Sequence, residues 1–306
     1  MKTKLHCLIV LFVILITSCT KELECPEGNG IEKINGFIVK WRKQIRAEQK
    51  NCIREILNNM VEVEGGTFVM GATEEQTEFA RPNEYPLSYN MISSFYICKY
   101  EITDNQYIAI MGNPNGDKHL RHLSLSWSDW KQFIETLNDL SSLEFDFPTE
   151  AQWEYAARGG TKSKGFLYPG SNNVDDVRSS IENEGSKIPN ELGLYNMADL
   201  KSEWCKDFYT TYENTLLYEN RYIFMGKEHV VRGGNYRCTG NSGKKYLENK
   251  ISIHDTFGSF RSGVPLASPY DYRYCRVSAR CYYYSHSNMY IGCRLAINIF
   301  DENKRR

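Results

Sequence analysis

The chain has 306 residues, of which 41% are hydrophobic and 25% charged, the composition of a globular protein with a sizeable core. Its formal net charge of -1 argues against a general nucleic-acid-binding protein, because such proteins usually carry a basic stripe. The unusual feature is the presence of 21 tyrosines, which indicate either a large mixed core or a recognition surface.

The N-terminus predicts export. A short basic stretch precedes the apolar run Leu8–Ile16, which is too short to cross a membrane as a helix. Small residues then lead to Cys19, an arrangement that resembles the lipobox of bacterial lipoproteins, in which the cysteine is acylated. We therefore predict a signal peptide over residues 1–18 and lipidation at Cys19. Since Thr20 rather than aspartate follows, we expect a cell-envelope protein anchored to the outer membrane, facing the periplasm or the cell surface; an ordinary secretory signal and a retained anchor are the alternatives.

The cysteine pattern leaves disulfide bonding open. The chain has ten cysteines, of which Cys7 is lost with the predicted signal and Cys19 carries lipid. The remaining eight are an even number in an oxidising compartment, which permits disulfides without requiring them. Because no CxxC pair is present, a structural zinc site is not expected.

Residues 19–59 differ in character from the rest of the chain. Apolar side chains recur there at helical spacing, with Lys, Arg and Glu between them. They are Ile31, Ile34, Phe37, Ile38, Trp41 and Ile45. We predict a helical stalk, of one or two amphipathic helices, between the lipid anchor and the main domain.

The main domain is predicted over residues 60–300, followed by a polar tail at 301–306. Alternation around a Gly-Gly pair in Met60–Gly71 predicts a short hairpin, and Ser94–Glu101 predicts a strand. Thr103, with glutamine three residues later, has the capping-box pattern that begins a helix.

Two further helices are predicted before the chain becomes rich in turns. One is an amphipathic helix capped near Ser126 and running through Leu140. The other begins at Pro148-Thr149 and ends at Gly159-Gly160. Since the pattern is typical of strands from Glu228 onward, the whole arrangement indicates a loop-rich α+β fold.

Several motifs resemble the formylglycine-generating (sulfatase-modifying factor) family. The most specific is the helix signature from Pro148 to Gly160, PTEAQWEYAARGG, and the others follow the order of the family. They are GGTFVMG at 65–71, KYEIT at 99–103, NELGLYNM at 190–197, VRGGN at 231–235, CRVSAR at 275–280 and GCRLA at 292–296. The resemblance covers about 240 residues and implies a C-type-lectin-like α+β fold.

The same resemblance puts catalysis in doubt. Catalytic members hold Cu(I) between two cysteines five residues apart, and a soft ion of this kind needs paired sulfur ligands. Cys238 matches the first cysteine, but Gly243 stands at the second position and Asn235 replaces the serine of the turn. A long insertion from about Thr239 to Asp271 further interrupts the site, although Cys275 or Cys281 could fold back to pair with Cys238.

A calcium site is a second feature that the resemblance raises. In calcium-binding members the loop at 193–204 supplies oxygen ligands. Here Glu203 is kept and Asp199 is a candidate replacement, but Leu200 removes one side-chain oxygen. Because calcium prefers six to eight oxygen ligands, the alternative is that Glu203 is simply a buried or capping residue.

The tyrosines concentrate near the C-terminus, where a lectin-like fold exposes a ligand face. Mixed Tyr, Ser, Asn and His favour an adaptable binding surface over a core. The predicted ligand-binding residues are Tyr272, Tyr274, Tyr282, Tyr283, Tyr284, His286, Asn288 and Tyr290. The pattern also resembles the variable C-terminal regions of lectin-like lipoproteins diversified by retroelements. The alternative is a loop whose tyrosines pack on the flank of the domain.

Two functions are therefore carried forward. The favoured one is a lipid-anchored module that binds a protein or glycan ligand, with calcium as the only cofactor in view and no nucleic-acid partner. The alternative is a copper-dependent oxidase that matures sulfatases by oxidising a substrate cysteine, with Cys238 as the catalytic residue.

Overall fold

A computed structural model describes residues 30–113, 123–178, 187–198, 201–210, 212, 228–234 and 272–299. The predicted signal peptide, Cys19, Asp199 and Cys238 lie outside these residues. Within them, no helix combines the length and the apolar character needed to cross a membrane. The α-helices are α1 (Ala47–Asn58), α2 (Asp104–Met111), α3 (Trp127–Ser141), α4 (Glu150–Ala157) and α5 (Val174–Val177). The strands are β1 (Ile31–Ile34), β2 (Phe37–Lys40), β3 (Met60–Val63), β4 (Gly66–Met70), β5 (Ser88–Ile92), β6 (Phe95–Cys98), β7 (Phe145–Asp146), β8 (Ser202–Phe208), β9 (Glu228–Arg232), β10 (Cys281–Tyr284), β11 (Ile291–Gly292) and β12 (Ala296–Asn298).

The first described segment is a β-hairpin, so the helix predicted across residues 31–45 is wrong there. Strands β1 and β2 pair antiparallel around Asn35 and Gly36, both of which have positive φ (45° and 88°). An Asn-Gly pair is the preferred sequence for this two-residue turn. Ile34 and Val39 are buried in the same core cluster as helix α1. The segment is therefore packed onto the core rather than extended as a helical stalk.

The predicted hairpin over Met60–Gly71 is also wrong, because its two strands belong to different sheets. Strand β3 pairs with β6 in a four-stranded sheet of order β3-β6-β12-β7, whereas β4 pairs with β5. The predicted strand at Ser94–Glu101 is confirmed as β6. Pairing of β12 with both β6 and β7 brings the end of the domain back to its start.

Helices α1, α2 and α3 pack together as the largest apolar core. The caps predicted from the sequence are confirmed, since Thr103 accepts a hydrogen bond from the Gln106 amide and Ser126 from the Asp129 amide. One side of helix α3 is buried, and it includes Trp130, Phe133, Leu137 and Leu140.

A second four-stranded sheet, of order β10-β9-β8-β11, carries the C-terminal tyrosines. Neighbouring residues of β9 belong to different core clusters, because successive side chains of a strand point to opposite faces. Val231 packs in the cluster of helices α1–α3, and Val230 packs with Trp153 of helix α4. Both faces of this sheet are thus covered near its centre, and β10 lies at its margin. The predicted α+β, loop-rich class is confirmed.

Candidate functional site

Helix α4 positions the most heavily charged part of the interior. Thr149 caps the helix by accepting a hydrogen bond from the Gln152 amide, and Gly159 beyond its end has φ 92°, as predicted. The helix places Glu150 and Glu154, one turn apart, on the side that faces strand β9. Because the two residues are one turn apart, both carboxylates face the interior on the same side of the helix.

Two buried arginines saturate these carboxylates. Arg232 donates from Nε to Glu150 (2.9 Å) and from Nη2 to Glu154 (2.8 Å). Arg280 donates from Nε and Nη2 to the two oxygens of Glu150, at 2.7 and 2.6 Å. Burial raises the pKa of Glu150, but the adjacent Arg280 and Arg232 outweigh it and hold that pKa below its usual range. Glu150 is therefore an ionised structural group.

A second buried pair joins the start of β8 to the segment between β11 and β12. Arg294 donates from Nε and Nη2 to both oxygens of Glu203, at 2.6 to 3.0 Å, and the Trp153 indole donates to the same carboxylate at 2.7 Å. The Arg294 and Glu203 side chains are fully buried. Glu203, the candidate calcium ligand of the sequence, thus has both oxygens occupied by donors, which agrees with the alternative of a buried structural carboxylate.

A third pair repeats the arrangement with Arg276. Its Nη1 donates to Glu84 at 2.9 Å and to the Gln76 side chain at 3.3 Å, and Ser278 also donates to Glu84 at 2.7 Å. Sequence reasoning noted these arginines only as parts of motifs. The signal that could have identified them is the recurrence of arginine in VRGG, CRVSAR and GCRLA, because a buried arginine needs a buried carboxylate partner.

Four thiols of the described residues are buried among apolar side chains. Cys52, Cys98, Cys205 and Cys293 are free thiols rather than disulfides. Burial raises the pKa of Cys98 to about 12 and the pKa of Cys205 and Cys293 well above the usual value. Since the thiolate is the nucleophile and the metal ligand, these four cysteines have a packing role.

The region that leads to Cys238 is described only up to Gly234. Gly234 has φ 73°, and a Cβ there would lie 2.9 Å from the Sγ atom of Cys275. Arg178 donates to the same sulfur, and Ser202 donates to the Gly234 carbonyl. Among the described residues, no group of three His, Cys, Asp or Glu side chains is placed to hold a metal ion.

Two of the predicted ligand-binding tyrosines point inward. Tyr274 is buried, with the Arg81 guanidinium 3.5 Å from its ring centroid. Tyr283 packs against the cluster of helices α1–α3, and its ring lies 6.2 Å from that of Trp204. Strand alternation turns Tyr283 toward the core, and the Arg81 guanidinium covers the ring of Tyr274, so ligand contact by these two side chains stays a prediction.

The inner side of the same strand pair is a stack of aromatic rings. His229, opposite Tyr283 in the register, lies between Trp127 (ring centroids 3.9 Å apart) and Phe208 (4.3 Å). Burial lowers the pKa of His229 to about 4, so its imidazole is neutral near pH 7. The stack holds helix α3 against the sheet.

The alternate tyrosines of β10 are partly exposed. Tyr282 packs against Tyr209 with ring centroids 4.5 Å apart and the ring planes tilted by 44°, and the Arg280 guanidinium lies 4.8 Å from the Tyr209 ring centroid. The ring centroids of Tyr284 and His286 lie 6.1 Å apart. Tyr284 also forms a hydrogen bond with the Glu228 side chain, which raises the pKa of the tyrosine. We call Tyr209, Tyr282, Tyr284 and His286 the tyrosine margin.

The remaining predicted residues shape the loop after β10. The Asn288 side-chain oxygen accepts a hydrogen bond from the Tyr290 backbone N–H (2.9 Å), and the backbone N–H of Asn288 donates to the Leu125 carbonyl (3.1 Å). The Tyr290 carbonyl accepts from the Ser202 amide. Asn288 thus fixes a turn, and both residues are partly exposed beside His286. Tyr272 lies in a short 3₁₀ segment, and its side chain lies outside the described residues.

Comparison with known proteins places this geometry in a family. Residues 46–264 match the model of the sulfatase-modifying factor enzyme 1-like domain. The chain is 29% identical over 224 residues to the chaperone protein LppX of Paenibacillus barcinonensis, covering 52% of this chain and 76% of that protein. It is 31% identical over 158 residues to the formylglycine-generating enzyme of Streptomyces coelicolor, covering 45% of this chain and 47% of the enzyme. The chain thus spans less than half of that enzyme.

Solved structures show the same fold. PvdO from Pseudomonas aeruginosa superposes with a TM-score of 0.57 at 18% identity, covering 78% of this chain and 94% of PvdO. Treponema denticola variable protein 1 superposes with a TM-score of 0.50 at 19% identity, covering 78% of this chain and 95% of that protein. At these identities the similarity establishes the fold alone.

Proposed function

The chain belongs to the sulfatase-modifying factor enzyme 1-like domain family, and from that premise we propose that it is a ligand-binding module anchored in the cell envelope through an acylated Cys19. The observation that carries the proposal is the tyrosine margin, a group of partly exposed aromatic rings on a sheet that buried ion pairs hold rigid. Rigid aromatic side chains on a fixed scaffold give contact area at low entropic cost. We place the domain at the outer membrane, on the periplasmic or cell-surface side.

The charged interior supports binding over catalysis. Glu150, Glu154 and Glu203 each accept hydrogen bonds from buried arginines, so none of them is available as a general base. The buried thiols are protonated because burial raises their pKa values. These carboxylates and thiols therefore hold the fold together, and the tyrosine margin is what we propose a partner contacts.

The ligand that fits the tyrosine margin is a protein or a glycan. Tyr282 and Tyr284 present rings that stack on apolar or sugar faces, while His286 and Glu228 add hydrogen-bonding groups beside them. The loop fixed by Asn288 adjoins the same margin. A site of this kind selects by shape and by a few polar contacts.

Binding of the purified exported chain to protein and glycan arrays tests the proposal. We expect the arrays to identify a ligand. The affinity of the protein for that ligand should fall at least about 30-fold in Tyr282→Ala or Tyr284→Ala, which is the scale of an aromatic hot spot. The matched control is Tyr89→Ala on strand β5, because Tyr89 is 87% exposed and lies outside the tyrosine margin. Array-wide absence of a ligand, or a ligand insensitive to both margin substitutions, would overturn the proposal.

The second candidate is the copper-dependent oxidase. The observation that favours it is the 31% identity with the Streptomyces coelicolor formylglycine-generating enzyme. Against it, Gly243 stands where a second thiol is required five residues after Cys238. A copper-binding measurement separates the two candidates.

A further inference from the structure

The outer side of the β1–β2 hairpin combines exposed apolar and cationic side chains. The strand register places Ile31 opposite Lys40 and Lys33 opposite Ile38. Ile31 is 54% exposed and Ile38 is 61% exposed, and both lysines are also exposed. We call these four residues the hairpin face. Exposed isoleucines on a two-stranded hairpin expose apolar area that a neighbouring surface can bury.

The hairpin face is cationic because its neighbouring carboxylate points to the other side. Glu32 accepts hydrogen bonds from Arg54 at 3.0 and 2.9 Å and from the Trp41 indole at 2.9 Å. The Arg54 hydrogen bond lowers the pKa of Glu32, so it is a committed ion-pair partner. Within the described residues 30–41 it is the one carboxylate, which leaves two lysines without an acidic neighbour on the hairpin face.

The hairpin face is also close in the chain to the predicted lipid anchor. Ile31 lies twelve positions after Cys19 in the chain. A fully extended chain rises at most about 3.6 Å per residue, so the hairpin face can lie no more than about 43 Å from the acylated cysteine. This tether gives the hairpin a high local concentration of phospholipid headgroups.

We infer that the hairpin face rests on an anionic phospholipid surface and so fixes the orientation of the domain at the membrane. Isoleucine side chains would enter the headgroup boundary while the lysines extend toward phosphate groups. Each lysine near an anionic surface contributes about a fivefold factor in binding, so the pair contributes about 25-fold. The inference rests on the proposed acylation of Cys19.

Lysine footprinting of the full acylated chain tests this orientation. The protein is reconstituted into vesicles of phosphatidylethanolamine with phosphatidylglycerol, and in parallel with phosphatidylcholine instead of phosphatidylglycerol. An amine-reactive reagent then labels exposed lysines, which are quantified by peptide mass spectrometry. We expect Lys33 and Lys40 to react at least about fivefold more slowly on the anionic vesicles. Lys162 and Lys164, which are exposed in another part of the domain, should react equally on both.

Two further measurements make the test specific. The double substitution Ile31→Ser with Ile38→Ser, and separately salt at about 0.5 M, should each restore most of the reactivity of the two lysines. Equal reactivity of Lys33 and Lys40 on the two vesicle types, in a protein whose Cys19 peptide carries acyl chains, would overturn this inference and leave the anchor intact. An unmodified Cys19 peptide would overturn the anchor and the inference together.

Discussion

The buried pair of Arg294 and Glu203 offers a quantitative test of how the sheet is held. In Arg294→Met a side chain of similar length replaces the guanidinium, and the Glu203 carboxylate stays buried with only the Trp153 indole as a donor. Arg294 also donates to the backbone carbonyls of Cys98 and Tyr195, at 2.9 and 2.8 Å. These two acceptors lose a charged partner in the variant.

The expected cost follows from these contacts. At an effective dielectric constant of about 20, opposite charges about 4 Å apart attract by about 4 kcal/mol. Removing one member of a buried pair typically costs about 3 to 5 kcal/mol, because the remaining charge is left desolvated. We therefore expect Arg294→Met to lower the free energy of unfolding by about 4 kcal/mol.

Urea unfolding of the single and double variants is the assay. The double variant Arg294→Met with Glu203→Met should be at least about 2 kcal/mol more stable than the sum of the two single losses predicts. The matched control is Arg42→Met, which breaks the exposed pair with Asp139 and should cost less than about 1 kcal/mol. The reasoning is refuted if Arg294→Met costs no more than Arg42→Met, or if the two single losses simply add.

Three further predictions concern local structure. Thr149→Ala removes the cap on the Gln152 amide of helix α4 and should cost about 1 kcal/mol in urea unfolding, while Thr149→Ser should be near neutral. Gly234→Ala should destabilise by about 1 to 3 kcal/mol in the same assay, because the residue has φ 73° and a Cβ would meet the Cys275 sulfur; an unchanged midpoint would contradict the strain. His229 has its pKa lowered to about 4 by burial, so its neutral form stabilises the fold above about pH 6.5 and that contribution is lost as the pH falls toward 4. Stability measured from pH 7 to 4 should therefore decline less in His229→Phe than in the wild type.

The sequence predicted the parts of the fold that local chemistry determines. The caps at Thr103, Ser126 and Thr149 and the strand at Ser94–Glu101 are confirmed, because each is encoded within a few residues. The family motifs also predicted the α+β class, since their collinear order is specific to one fold.

The errors arose where the partner of a segment is distant in the chain or where a turn signal was missed. Residues 31–45 have helical spacing, yet Asn35 and Gly36 adopt positive φ and form a hairpin turn, and this Asn-Gly pair was the overlooked signal. Strands β3 and β4 are adjacent in sequence but pair with β6 and β5, which periodicity cannot reveal. In both segments the structure depends on which strands pair with each other, and the spacing of apolar residues does not specify this.

The candidate site was only half predictable for a related reason. Composition identified the tyrosine-rich segment, but the assignment of Tyr274 and Tyr283 to the interior depended on the register of β10 and on Arg81. A shift of one residue would have exchanged the inner and outer tyrosines. The ring contact between Tyr209 and Tyr282 joins residues that no local pattern connects.

Copper binding tests the central claim most directly. The purified chain and its Cys238→Ser variant are titrated with Cu(I) in competition with a chromogenic chelator under anaerobic conditions. If the domain is a binding module whose second thiol position is Gly243, both proteins should yield the metal to the chelator equally. One tightly held equivalent of Cu(I) that is lost in Cys238→Ser would contradict the account and favour the oxidase.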